Sequence, residues 1–352
     1  MNKIFEFFQN SVEEAEEWLH KITRQFKGDD PIIILPYRGY ANEERLFLKG
    51  RVLEDESYWQ NRTKGDLGNL LASFKRFDTD EIPFASVSIK IGDQVFKVLA
   101  DHEGYFTLDT AWNIPQITPA NRWLAVDIEL VDPQTPAQVY SKVNSRGEVL
   151  LPGDKVSYGV ITDVDDTVLQ THVTSRLKFK MLYATFMQNA AQRLPMEGVV
   201  ELFQAFVKGK DGEEENPIFY VSNSPWNLYD LLEKFMELQE LPKGPIFLRD
   251  YGIRPAGEFS QHKLVTIGRI LDTFPNLPFI MLGDTASKDA DFYIQLAEQY
   301  PGRIKAIYIR LTKNNRNAKR VAELIEAKSD TNAVLVRSSE EIRMHAQSIG
   351  LL

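Results

Sequence analysis

The chain predicts an α/β protein: a Rossmann-like parallel sheet with helices on both faces and a small cap or none, preceded by a smaller all-β sandwich domain and an N-terminal helix. Three observations predict it. Apolar residues recur at three- and four-residue steps over residues 4–26, short β-like runs separated by turn signals fill residues 31–150, and apolar strands alternate with helical stretches after Pro152. The expected parts are an amphipathic helix over 1–28, a β-domain over 29–152 and an α/β domain over 153–352.

The N-terminal pattern runs through Ile4, Phe8, Val12, Ala15, Leu19, Ile22 and Phe26. One stripe of a helix is therefore apolar, and the preferred reading is a helix packed on the body of the protein. Phe5, Phe7, Phe8 and Trp18 also suit a membrane surface. The polar face argues against that, because it carries Glu13, Glu14, Glu16 and Glu17 where such helices carry Lys and Arg.

In the second part, Ser86-Val-Ser-Ile-Lys-Ile91 alternates as a half-buried strand does. Gly92-Asp93, Glu103-Gly104 and Asp132-Pro133 mark turns between such runs. About seven short strands spaced this way suggest a sandwich. No catalytic constellation is visible in it, and Leu151-Pro152-Gly153-Asp154 is the natural boundary.

In the third part, expected strands are Gly159–Thr162, Ile218–Val221, 279–282, 306–309 and 333–336. Expected helices include 226–240, 264–273, 289–299 and 339–349. Such alternation implies a parallel sheet covered on both faces, with ligands at the carboxyl ends of its strands.

Four motifs fall at those ends or in the loops beyond. The first strand runs into Asp163-Val-Asp165-Asp166-Thr167. Residues two apart in an extended chain share a side, so Asp163 and Asp165 can converge. Crowded carboxylates need a cation, and oxygen ligands at short spacing suit Mg2+. The second strand ends in Ser222-Asn223-Ser224-Pro225-Trp226. The Ser222 hydroxyl and following helix amides can hold a phosphoryl oxygen, whereas Ser224 reads as an N-cap before Pro225. Thr167 and Asn223 are further candidates for contacting the phosphate. The third motif is His262-Lys263, whose lysine can offset charge on a phosphorylated intermediate. The fourth is Gly283-Asp284-Thr-Ala-Ser-Lys-Asp289. Asp284 completes a metal shell, and Asp289 either joins it, orients Lys263 or caps the next helix.

With these residues the chain resembles the haloacid-dehalogenase superfamily, and more narrowly the actin-patch-protein type of phosphatidate phosphatase domain. DVDDTVLQT, YVSNSPWNLYDLL, LPKGPIFLRDYG, the His-Lys pair, FIMLGDTASKD and PGRIKAIYIR carry the resemblance, over about residues 154–320. It implies Asp163 as nucleophile, Asp165 as general acid/base, Ser222 and Lys263 as phosphate partners and Asp284 as a magnesium ligand. It also implies removal of phosphate from phosphatidic acid to give diacylglycerol, although the motifs do not encode lipid specificity. The short gaps between motifs leave no room for a large cap. The basic-aromatic stretch Arg176 to Tyr183 either touches a membrane or covers the sheet.

A net charge of −9 speaks against nucleic acid as a partner, and zero cysteines exclude disulfides and thiolate chemistry. The expected setting is cytoplasmic, with peripheral membrane contact open. The partner expected is a phosphorylated lipid or another phosphomonoester. Oligomeric state is not legible. Competing readings are a phosphatase for soluble or protein phosphoesters and a scaffold working through the β-domain.

Overall fold

The computed structural model describes residues 32–54, 81–113, 122–132, 143–164, 198–249, 261–312 and 317–352. The expected helix over 1–28, Asp165, Thr167 and the 176–183 stretch lie outside these residues. No described helix is long and apolar enough to cross a membrane.

The chain separates into two compact units, Met1–Pro36 with Lys49–Leu108 and Ala125–Gly147, and Tyr37–Leu48 with Asp109–Leu124 and Glu148–Leu352. The N-terminal strands are β1 (Ile32–Pro36), β2 (Gly39–Ala41), β3 (Arg45–Glu54), β4 (Ser86–Ile91), β5 (Gln94–Leu99), β6 (Tyr105–Ala111), β7 (Trp123–Asp132) and β8 (Asn144–Leu150). A sandwich of about seven strands was the expectation. The strands instead join one mixed ladder, β1-β3-β2-β8-β7-β4-β5, with β6 on β3. The reason is β2, which pairs antiparallel with β3 and parallel with β8. A strand serving two neighbours of opposite sense ties both sets together. Alternation holds where it was read: Val87, Ile89 and Ile91 are buried on one face of β4.

The second sheet has six strands in the order β11-β10-β9-β12-β13-β14. They are β9 (Gly159–Asp163), β10 (Ile218–Pro225), β11 (Ile246–Arg249), β12 (Phe279–Asp284), β13 (Ile304–Arg310) and β14 (Ala333–Val336). All pairings are parallel. Counted from β9, the order is that of the doubly wound nucleotide-binding sheets, and β9 and β12 flank the point where it reverses. The described helices are α1 (Val199–Lys208), α2 (Tyr229–Leu238), α3 (His262–Thr273), α4 (Asp289–Gln299), α5 (Ala318–Ala327) and α6 (Ser339–Ser348).

Neighbouring residues of β10 show that both faces are covered, because successive side chains point to opposite sides. The Tyr220 ring meets Phe203 of α1 at 6.5 Å, while Phe219 meets Phe274, just past α3, at 5.8 Å. β9, β10 and β12 are almost wholly buried, as central parallel strands are. The strands run further toward their carboxyl ends than the apolar runs alone suggested, β9 to Asp163 and β12 to Asp284. β11 was not expected, since only four residues follow Gly244-Pro245.

On the Phe219 side the second unit includes the segment Tyr37–Leu48. The Tyr40 ring lies 5.7 Å from Phe219, 5.6 Å from Phe247 and 5.9 Å from Phe274. Phe47 lies against Tyr40 and Phe247, with the Arg269 guanidinium 4.9 Å above its ring. Compactness therefore does not follow a single cut along the chain.

Candidate active site

The site is assembled at the carboxyl ends of β9 and β12, the two strands at the reversal of sheet order. β9 delivers Asp163 as its last residue, and β12 delivers Gly283 and Asp284. α4 begins five residues later with Asp289, and α3 presents Lys263 from its first turn.

Lys263 joins two carboxylates. Its Nζ lies 2.9 Å from Asp163 Oδ1 and 2.5 Å from Asp289 Oδ1. Of the readings open for Asp289, orientation of Lys263 is realised directly. Asp289 also contributes to a cluster with Asp163 and Asp284, in which one carboxylate oxygen from each lies within 4.8 Å of the others. Lys263, Asp163 and Asp284 are each 1% exposed and Asp289 is fully buried.

Gly283 makes this approach possible. A Cβ there would fall 2.6 Å from Asp289 Oδ2, far inside van der Waals contact. Asp284 is oriented by two backbone amides, since Ala286 N and Ser287 N donate to its Oδ1 at 2.6 and 2.9 Å. Ser287 Oγ in turn accepts from Asp289 N at 3.3 Å.

Burial alone would draw the Lys263 pKa down. The charges of Asp163 and Asp289 outweigh burial and hold the ammonium well above the ordinary lysine range. Asp284 is displaced to about 7, first by burial and then by the charge of Asp289, against the pull of the amides and Lys263. Behind the site, the buried Tyr293 hydroxyl donates to Leu282 O at 3.2 Å.

Three buried carboxylates gathered around one described ammonium suit a hard divalent cation, because oxygen ligands and excess negative charge are what such an ion requires. Among the described residues, Asp163, Asp284 and Asp289 are the ones that could hold such an ion.

Ser222 and Asn223 sit at the end of β10. Ser222 is fully buried and Asn223 half-buried. Between Val221 and Pro225 the pairing of β10 with β11 shifts register, so the strand bulges at Ser222-Asn223-Ser224. Ser224 N donates to Ser222 Oγ at 2.8 Å. Ser224 is not the N-cap expected of it. The strand continues to Pro225, which precedes a 3-10 turn over Trp226–Leu228 without a side-chain cap, and α2 starts only at Tyr229.

Asp163, Lys263, Asp284 and Asp289 are thus brought together, and Asp165 and Thr167 lie outside the described residues. The aromatic packing around Trp226 was not anticipated, because it includes Tyr37, far away in the chain.

An open parallel sheet whose order reverses beside such a cluster defines an α/β domain with its candidate site at the topological switch point. Within that class, residues 158–311 match the model of the family described as the catalytic domain of phosphatidate phosphatase APP1. The phosphatidate phosphatase APP1 of Saccharomyces cerevisiae is 33% identical over 165 residues, 45% of this chain and 26% of that one. An uncharacterised protein of Schizosaccharomyces pombe is 29% identical over 270 residues, 72% of this chain and 41% of that one. The chain therefore spans less than half the length of either relative. Among solved structures, a carbohydrate acetylesterase from Xanthomonas citri aligns at a TM-score of 0.26 and 7% identity over 82% of this chain and 72% of that one, a likeness too low to bear on the fold or the site.

Proposed function

We propose that this chain is a magnesium-dependent phosphomonoester hydrolase that acts through an aspartyl phosphate on Asp163 and removes phosphate from phosphatidic acid. The single observation that carries the reading is the Lys263 ammonium between Asp163 and Asp289, with Asp284 alongside, at the ends of β9 and β12. The match of residues 158–311 to a phosphatidate phosphatase catalytic domain supports both the reaction class and the substrate.

The chemistry follows from the residues. A carboxylate held at a strand end and oriented by an ammonium is a nucleophile that needs no deprotonation. Asp163 attacks phosphorus in line with the leaving alkoxide, forming a mixed acyl phosphate and breaking the ester P–O bond. Asp165, two residues on, protonates the alkoxide and then takes a proton from the water that releases inorganic phosphate. Ser222 holds one of the non-bridging oxygens, and Asn223 and Thr167 are further candidates for contacting the phosphate. Lys263 offsets charge on those oxygens, and Asp289 keeps its ammonium aimed. Mg2+ would be held by Asp163 and Asp284, with Asp165 and Asp289 as further candidate ligands, and would add electrostatic stabilisation of the phosphoryl group.

The test is phosphate release from a panel comprising phosphatidic acid in mixed micelles, an aryl phosphate, a sugar phosphate and a phosphopeptide, each with magnesium and with chelator. Magnesium-dependent release led by phosphatidic acid is expected. Release that ignores the chelator, or none from any ester, would sink the reading.

A further inference from the structure

Between β1 and β2 the chain leaves the ladder for two residues, Tyr37 and Arg38. Both enter the surroundings of the Ser222–Ser224 bulge. The Tyr37 ring stacks on Trp226, with centroids 4.7 Å apart and planes 14° apart. The Tyr37 ring also lies 4.3 Å from that of Tyr229, which stacks on Trp226 at 6.1 Å. Tyr37 is 3% exposed, Trp226 6% and Tyr229 2%. The next residue adds polar anchors: Arg38 N donates to the Tyr229 hydroxyl at 2.8 Å, and the Arg38 guanidinium reaches Glu233 of α2 at 3.2 Å.

This bracket lies where the bulge needs one. The ladder with β11 stops at Val221 and resumes only at Pro225, so the three intervening residues are not held by that ladder. Trp226 follows Pro225, whose ring limits backbone rotation. A fixed Trp226 ring therefore sets the exit direction of the bulge, and with it the aim of the Ser222 hydroxyl. Tyr37 lies outside residues 158–311, the span of the family match.

We propose that Tyr37 is a positioning residue that acts through Trp226 to hold the Ser222–Ser224 loop in its phosphate-binding geometry. The proposal rests on the reading of Ser222 as a phosphate contact. A broad aromatic face is needed, whereas the tyrosine hydroxyl is dispensable. Phe47 makes comparable ring contacts, on Tyr40 and Phe247, with residues other than Trp226, and so provides a control for lost aromatic packing.

The experiment uses the full chain with three substitutions, Tyr37→Phe, Tyr37→Leu and Phe47→Leu. For each, the rise in melting temperature caused by inorganic phosphate at saturating magnesium is measured, with kcat and KM on an aryl phosphate. Tyr37→Leu is expected to weaken phosphate binding and raise KM by about tenfold, with kcat within about twofold of the original. Tyr37→Phe is expected to match the original chain. Phe47→Leu is expected to lower the melting temperature without moving KM. Should Tyr37→Leu not fold, Tyr37→Met carries the same expectation. Unchanged phosphate binding in a folded Leu or Met variant overturns the proposal, and so does an equal rise in KM for Phe47→Leu. If the original chain binds phosphate but hydrolyses nothing, the functional reading fails while loss of binding in Tyr37→Leu still supports the positioning role. If the original chain does not bind phosphate, both fall.

Discussion

Lys263 Nζ lies 2.9 Å from Asp163 Oδ1, and each side chain is 1% exposed. At that burial neither group is solvated by water, so the ammonium depends on Asp163 and Asp289 for its charge, and Asp163 depends on the ammonium. Replacing Lys263 by Met leaves Asp163 and Asp289 as uncompensated buried charges. The expected cost is about 3–5 kcal/mol of stability without metal, typical of breaking a buried pair from one side. Turnover should fall by about a hundredfold or more, since a charge aimed at the transferring group is lost. Thermal melts and steady-state rates on the same preparation check both. A Met variant as active as the original would remove Lys263 from the chemistry.

Asp163→Asn separates nucleophile from scaffold. The amide is nearly the same size and stays beside the Lys263–Asp289 pair, so the fold is expected to persist. It cannot form the acyl phosphate, so turnover is expected to vanish. Mass spectrometry of acid-quenched original protein should show one added phosphoryl group on the peptide containing Asp163, absent from the Asn variant. A folded Asn variant that retains substantial activity refutes the assignment.

The raised pKa of Asp284 gives a pH dependence whose sign can be worked out. A carboxyl group with a pKa of about 7 when folded and 3.8 ordinarily holds its proton more tightly in the native state. Its contribution to stability is therefore complete below the lower value and lost as pH rises through the higher one. The metal-free chain should lose stability from about pH 4 to about pH 7, and stabilisation by magnesium should grow over the same window as the ionised ligand becomes available. In Asp284→Asn both trends should flatten. Melting temperatures across pH, with and without magnesium, decide this.

Legibility of the sequence divides along physical lines. Asp163, Lys263, Asp284 and Asp289 could be read because each belongs to a local pattern, a strand ending in a polar turn or a helix beginning beside one. Their convergence follows once the strands are parallel, because all carboxyl ends then share an edge. The strand order β11-β10-β9-β12-β13-β14 was not legible, since nothing local says which strands are neighbours. The bulge at Ser222–Ser224 was hidden too, because Ser before Pro imitates a helix start. Contacts between distant segments, such as Tyr37 with Trp226 and Tyr40 with Phe219, leave no periodic trace in either partner.

Those distant contacts bear on how the chain can be divided. A fragment of residues 153–352 keeps every candidate catalytic residue but lacks Tyr40 and Phe47, whose rings lie against Phe219, Phe247 and Phe274. Burial of two such side chains is worth about 3–6 kcal/mol together. The fragment is expected to melt well below the full chain, to bind a hydrophobic dye and, because it also lacks Tyr37, to show weakened phosphate binding. Equal melting temperatures for fragment and full chain would show that the 37–48 segment contributes nothing to this face.

The last prediction concerns the substrate. Phosphatidic acid is a phosphomonoester with two acyl chains, and it is presented at a surface rather than free in solution. The catalytic-domain match points to it. The sequence agrees in having short gaps between motifs and a run of Lys, Arg and aromatic residues from Arg176 to Tyr183. The net charge of −9 opposes attraction to an anionic surface, so recognition must come from local contacts rather than from the field of the whole protein. Two consequences separate a lipid phosphatase from a general one. Rates on phosphatidic acid should depend on its mole fraction in mixed micelles as well as on its bulk concentration. Replacing Arg176, Lys178 and Lys180 together by Gln should lower the rate on the lipid while leaving the rate on a soluble aryl phosphate unchanged. If the aryl ester is turned over as efficiently as the lipid and surface concentration has no effect, the enzyme is a general phosphomonoesterase and its lipid specificity is lost as a reading.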